Sequence, residues 1–347
     1  MFDESEQLLL TQVLANYAAH YQPTETVPVQ QAGFSGARIW KLTAPAGAFA
    51  LRQWPAAGLE RDRLIGLHQL LRHICDHGTT HVSCPVPALN GSTLVSEGGH
   101  LWQLEPWLPG EANYHAAPSN AKLTAALRGL AEWHRGAATF RPGDAHRRWF
   151  ARYAAAASPG IAERLQLILD WNAPRIDKTT ESVRRVPWPE FREAALPLLA
   201  AFQKCAPAIA DELRLASGIR YQLQPCLRDV WHDHLLFVGD EVTGIIDPSA
   251  CSSETVATDI ARLVGSLVGD DRGGWEIAVV AYQTIRPLTV DELAAIELFD
   301  RSGVLLSGMT WVRRIGRDGA IVAEPERVIE RMRVILQRLQ KLAASIV

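Results

Sequence analysis

Leu227-Arg228-Asp229-Val230-Trp231-His232-Asp233-His234-Leu235-Leu236-Phe237, followed by Gly239-Asp240 and then by Val242-Thr243-Gly244-Ile245-Ile246-Asp247, decides how this chain folds. An acidic residue opens a polar loop, an apolar strand follows, a Gly-Asp pair reverses the chain, and a second apolar strand ends on another acidic residue. The pattern predicts a β-hairpin with Asp229 and Asp247 at the same end, 18 positions apart in sequence. A hairpin holds two carboxylates rigidly enough for them to share a metal ion or a phosphate-bound metal. Strand-end aspartates also suit ordinary turns, because their side chains hydrogen-bond nearby backbone.

Bulk properties narrow the field around this hairpin. A chain of 347 residues exceeds the usual single-domain size and predicts two lobes. Apolar residues make up 48% and charged residues 21%, enough for a packed core under an ordinary surface. Net charge is −3, from 35 basic and 38 acidic residues, which argues against electrostatic binding to nucleic acid or to an anionic membrane. Apolar runs fall short of the roughly 18 residues a membrane span needs, and the acidic start Met1-Phe2-Asp3-Glu4-Ser5-Glu6 is unlike a secretion signal. The expected location is the cytoplasm. Five scattered cysteines, odd in number and without C-x-x-C spacing, disfavour both a disulfide framework and a zinc cage and read as reduced thiols. The 11 tryptophans read as core and lobe-packing residues.

Hydrophobic periodicity predicts a leading amphipathic helix over 5–20, then three short antiparallel strands within 25–54, broken at Gly33-Phe34-Ser35-Gly36 and Pro45-Ala46-Gly47. A helix over 59–75 follows, then strand-like pieces at 82–86 and 93–96, and a Gly98-Gly99 turn into a strand over 101–105. From Ser119 the pattern is helical, over 123–138, 161–171 and 191–215. The hairpin region 220–247 interrupts it before helices resume at 255–268, 274–286, 290–306 and 325–344. Residues 172–190, rich in Pro, Arg and Thr, read as a long loop. There is neither an internal repeat nor a low-complexity tail.

The hairpin, and with it most of residues 25–270, resembles the aminoglycoside phosphotransferase and choline kinase family, relatives of the protein kinases. The resemblance implies an α+β, two-lobed protein-kinase-like fold, with a small antiparallel-sheet lobe over residues 1–108 and a larger, mostly helical lobe over 109–347. It also implies roles. Asp229 would orient the acceptor hydroxyl and take its proton as the phosphoryl group transfers. Asp247 would bind Mg²⁺ against the β- and γ-phosphates of ATP or GTP. The family carries His where Leu227 stands and Asn where His234 stands. A His234 ligand would tilt metal preference from Mg²⁺ toward Mn²⁺, since imidazole suits the softer ion.

In the amino-terminal lobe, the loop Gly33-Phe34-Ser35-Gly36-Ala37-Arg38 would close over phosphates with its backbone N–H groups, Ser35 among them. Arg52 falls where the family places a phosphate-contacting cation, with Glu60, Asp62 or His68 as the candidate partner on the following helix. The segment 101–111 resembles the hinge that reads adenine through backbone groups; Glu105 and Trp107 are its expected contacts, and with no donor at Pro106 the amides near Trp107 and Leu108 would do that work. Asp259 is expected to buttress the catalytic loop and His134 to pack.

The implied reaction is transfer of a γ-phosphoryl group to a hydroxyl of a small molecule. Candidate acceptor contacts are Asp270 and Asp271 for a cation or Arg313 and Arg314 for an anion. Two alternatives stand beside it. Leu227 and His234 suit a catalytically weak or inactive nucleotide-binding relative, and His232, His234, Asp229 and Asp247 suit a metal-dependent hydrolase. Oligomeric state is not legible in the chain.

Overall fold

The computed structural model describes residues 4–29, 36–56, 58–320, 322 and 324–345. In chain order its elements are α1 (Glu4–Leu14), β1 (Glu25–Pro28), β2 (Arg38–Ala44), β3 (Gly47–Gln53), α2 (Arg61–Asp76), β4 (Val95–Glu97), β5 (His100–Pro106) and α3 (Asn120–Ala137). They continue through α4 (Arg147–Phe150), β6 (Tyr153–Ala156), α5 (Pro159–Leu169), α6 (Ala173–Arg185), α7 (Pro189–Ala216), β7 (Tyr221–Cys226), β8 (Leu235–Val238), β9 (Glu241–Ile245) and β10 (Ser252–Glu254). Helices α8 (Ala257–Val268), α9 (Arg272–Gln283), α10 (Val290–Trp311) and α11 (Pro325–Ser345) complete the chain.

Packing divides it into two compact units: Met1–Arg152 with Gln224–Ser253 and Ile277–Pro287, and Tyr153–Leu223 with Glu254–Glu276 and Leu288–Val347. In the first, the strands form an antiparallel sheet in the order β1-β2-β3-β5-β4. Side chains on a strand alternate between faces, and the two faces of this sheet differ in chemistry. Trp40, Leu42, Phe49, Leu51, Trp102 and Leu104 point to one face, where Leu10, Val13 and Leu14 of α1 and Tyr17 seal them into a core. The Trp40 and Trp102 rings stack there at 5.4 Å between centroids. Arg52, Gln103 and Glu105 point to the other face and are buried beneath α2 together with His68. That contrast makes the sheet a scaffold on one side and a site on the other.

Helix α3 packs against α2 and β9 within this unit. Packing therefore carries the amino-terminal unit past residue 108, where β5 has ended and a division by function is expected.

The second unit is helical, with α10 packed against α5, α7, α8 and α11. Side chains cap the starts of α5, α6 and α10. Thr289 and Glu292 form a reciprocal capping box at α10. The buried Glu254 carboxylate accepts from Ser158 Oγ at 2.5 Å and the Gly160 amide at 2.6 Å, fixing the start of α5. Helix α10 runs into a single π-helical turn over Val312–Arg317.

Two expectations are corrected. Residues 172–190 are not a loop but hold α6, because Pro174 occupies the first turn, where its missing N–H costs nothing, and Asn172 caps the Arg175 amide at 3.1 Å. Ile176, Thr179 and Val183 then form its buried stripe. Residues 82–86 form no strand. Pro85 and Pro87 interrupt the ladder, and Val82 makes only a lone parallel bridge to Ile245.

Candidate active site

The β8–β9 hairpin forms as its pattern requires: Leu235 pairs with Ile245, Val238 with Glu241, and Gly239 takes φ +60° at the first position of the two-residue turn. It is fastened to the segment after β5. Glu111 and Phe237 exchange backbone hydrogen bonds of 3.1 and 2.9 Å, and Thr243 Oγ1 donates to the Pro109 carbonyl at 2.5 Å. Gly110 makes this contact possible. Its φ is +101°, and a Cβ there would lie 2.5 Å from Thr243 Oγ1 and 2.7 Å from the Phe237 carbonyl oxygen. On the other edge the Ile245 amide donates to the His81 carbonyl at 2.8 Å.

Backbone strain falls where the chemistry was expected. Among the described residues, the non-glycine positions with positive φ are Arg228 at 65°, next to Asp229, and Asp247 at 55°. Such conformations cost about 1–3 kcal/mol each and persist only where the surroundings fix them. Asp229 is exposed at the mouth of the loop, whereas Asp247 is half-buried at the end of β9. Leu227, where the family's motif has His, is buried at 3% exposure.

His234 links the two aspartates. The Trp231 indole, which can only donate, gives its Nε1–H to His234 Nε2 at 2.9 Å. The ring proton therefore sits on Nδ1, which donates to the Asp229 carbonyl at 2.9 Å, while the His234 carbonyl accepts the Ile246 amide at 2.9 Å. Both ring nitrogens are engaged by hydrogen bonds in this arrangement, so His234 would have to give one up to take the expected metal ion. The residue is a brace between the loop that carries Asp229 and the strand that delivers Asp247.

Arg52 does lie by Asp247, with Nη1 3.7 Å from Oδ1, and its other terminal nitrogen is 3.5 Å from Glu105 Oε1. None of the proposed helix partners holds it. Glu60 pairs with Arg148, Asp62 is exposed, and His68 bonds Gln103 and Thr93. The partner comes from β5 instead, because the β3–β5 register sets Arg52 opposite Gln103 and turns 52, 103 and 105 to one face. Burial pushes the Glu105 carboxyl up from its ordinary range, and Arg52 opposes that shift. The Glu105 carboxylate is thus held by Arg52 and Gln103. Trp107 is likewise committed: its amide donates to the Ala48 carbonyl at 3.0 Å, and Lys41 Nζ lies 4.9 Å from its ring centroid. Ser35 lies outside the described residues.

Two buried atoms in this cluster have no hydrogen-bond partner among the described residues: Asp247 Oδ1, an acceptor, and Arg52 Nε, a donor. Native proteins rarely leave such groups unmade. An acceptor suited to a cation beside a donor suited to an anion is the complement of a metal-bound phosphate, so the residues present fit that group. The loop after Asp247 is tied down from α2, where Arg63 Nη2 reaches the carbonyls of Ser249 and Cys251 at 3.5 and 3.3 Å. Of the suggested acceptor contacts, Asp270 is already paired with Arg338 at 2.6 Å and Lys341 at 3.0 Å. His134 is buried, with Nδ1 2.9 Å from the Tyr282 hydroxyl, in keeping with a packing role.

Over 82 residues the chain is 29% identical to a homoserine kinase of Rhizobium etli, a match covering 22% of this chain and 26% of the relative's length. Its fold is similar to that of amicoumacin kinase hAmiN, solved with AMP-PNP, Ca²⁺ and Ami, with a TM-score of 0.67 and 14% identity over 99% of this chain and 94% of that one. A microcompartment-associated aminopropanol kinase is similar at a TM-score of 0.66 and 15% identity, over 98% of both chains. Residues 27–299 match the phosphotransferase enzyme family as a whole, and the chain belongs to that family.

Proposed function

We propose that this protein transfers the γ-phosphoryl group of ATP or GTP to a hydroxyl of a small molecule. The observation that carries the proposal is the pair of buried atoms that make no hydrogen bond among the described residues, Asp247 Oδ1 and Arg52 Nε, together with an exposed Asp229 on a braced loop. Asp229 hydrogen-bonds the acceptor hydroxyl, aligns its oxygen with the phosphorus, and takes its proton as the new P–O bond forms and the bond to the nucleoside diphosphate breaks. Arg52 binds phosphate oxygens while Glu105 holds its other edge. Asp247 is the carboxylate that would hold Mg²⁺, and that ion would neutralise charge on the β- and γ-phosphate oxygens. His234 contributes rigidity.

In this reading residues 1–108 supply the nucleotide-binding sheet and helix, and 109–347 supply the catalytic hairpin with Asp229 and Asp247. With Pro106 lacking an N–H and the Trp107 amide used, Leu108 is the nearest amide left to meet adenine. The cysteines form no disulfide among the described residues, in keeping with a reducing, cytoplasmic location, and among the described residues no helix is long and apolar enough to cross a membrane. The names homoserine kinase and aminopropanol kinase direct the search for an acceptor toward small amino alcohols.

The test is a screen of hydroxylated amines, amino acids and aminoglycosides for nucleotide consumption with Mg²⁺. Turnover with at least one acceptor, absent in Asp229→Asn, is expected. Failure of every acceptor to exceed that variant's background with either nucleotide would refute the proposal.

A further inference from the structure

We infer that Gln103 is a positioning residue that sets the phosphate-contacting guanidinium of Arg52 through Glu105, doing from the sheet what the family resemblance expects of a carboxylate on helix α2. The inference rests on the nucleotide reading above and adds to it the residue that orients the phosphate site. Gln103 Oε1 accepts two hydrogen bonds, from Trp54 Nε1 at 2.9 Å and from His68 Nε2 at 2.9 Å. The indole can only donate, which identifies that amide atom as the oxygen. His68 must then donate from Nε2 and accept at Nδ1, where the Thr93 hydroxyl lies 2.7 Å away. With its oxygen clamped from two sides, the Gln103 amide has one orientation, and its nitrogen donates to Glu105 Oε2 at 3.0 Å. Glu105 Oε1 in turn faces Arg52. Burial lowers the pKa of His68 to about 4, so the clamp is neutral and fully formed near neutral pH.

Charge explains why an amide suits this place. Glu105 and Asp247 already flank a single guanidinium, and a third carboxylate on α2 would leave that buried group with too much negative charge. A neutral amide fixes Glu105 by hydrogen bonding alone. It also couples α2, through His68, to Arg52 without placing a charge on the helix.

The test compares binding of Mg·ADP and of adenosine to the full-length protein in wild type, Gln103→Met and Glu105→Gln. Adenosine lacks the phosphates that Arg52 contacts. Loss of the clamp should therefore weaken Mg·ADP about tenfold, the loss of roughly one charge-assisted hydrogen bond, while adenosine affinity stays within about twofold. If Gln103→Met does not fold, Glu105→Gln, nearly isosteric, carries the same comparison. Equal losses for both ligands would reduce Gln103 to a packing residue, and no loss for either would overturn the inference outright. Wild type that binds neither ligand would instead refute the nucleotide reading itself.

Discussion

Asp229 and Asp247 occupy different environments, and their substitution should separate two steps. Asp229 is exposed, and in its proposed role as general base Asp229→Asn should lower kcat by about 10²–10⁴-fold, with Mg·nucleotide affinity nearly unchanged. Asp247→Asn should instead weaken Mg·nucleotide binding, read by calorimetry. The reverse pattern would exchange the two roles. His234 gives a second residue-level contrast. As a brace it makes two ring hydrogen bonds, so His234→Ala should cost about 1–3 kcal/mol in denaturant unfolding. The ratio of activity with Mg²⁺ to activity with Mn²⁺ should not move. A shift of that ratio would restore the imidazole as a ligand.

At the scale of elements, the hairpin is only as precise as the segment that clasps it. Gly110→Ala would place a Cβ within 2.5–2.9 Å of Thr243 and Phe237 in a backbone conformation that disfavours side chains. We expect a loss of about 3 kcal/mol or more in urea unfolding, with the hairpin forced off its register with Glu111. Gly47→Ala is a useful control, since φ there is +128° but nothing lies within 4 Å, so it reports backbone strain without the clash. Equal losses in the two variants would mean that close packing at Gly110 contributes nothing.

Across the whole molecule, Mg·ATP or Mg·GTP should raise the melting temperature. A ligand that binds only the native state at 100 times its dissociation constant adds about 2.7 kcal/mol, a shift of several degrees for a chain of this size. No shift with either nucleotide at millimolar concentration would count against the nucleotide site. Acid stability should report the buried clamp. His68 titrates near 6.5 when unfolded but near 4 in the fold, so between those values the unfolded chain binds more protons. Stability supplied by the neutral ring is therefore complete above about pH 6.5 and is lost as pH falls toward 4, by up to about 3 kcal/mol. Glu105, raised by burial, contributes with the opposite sign. The difference between wild type and His68→Gln isolates the histidine: the pH dependence of unfolding should be shallower in the variant over that window. Parallel curves would show that His68 is not protonated on unfolding as described.

Features that depend on near neighbours were legible in the chain alone. Alternation and a Gly-Asp turn specified the β8–β9 hairpin, because strand periodicity and turn chemistry are local. The helices from α7 to α11 were legible for the same reason, as was the family. Where local signals conflicted, reading by composition failed: the prolines near residue 174 suggested a loop, yet one proline in a first turn starts a helix. Only the tertiary structure decided the partner of Arg52 and the duty of His234. The first depends on the register between β3 and β5, strands some fifty residues apart, which no spacing in the chain encodes. The second depends on an indole and a backbone carbonyl taking both nitrogens of the ring, a matter of three-dimensional hydrogen-bond geometry that residue identity leaves open.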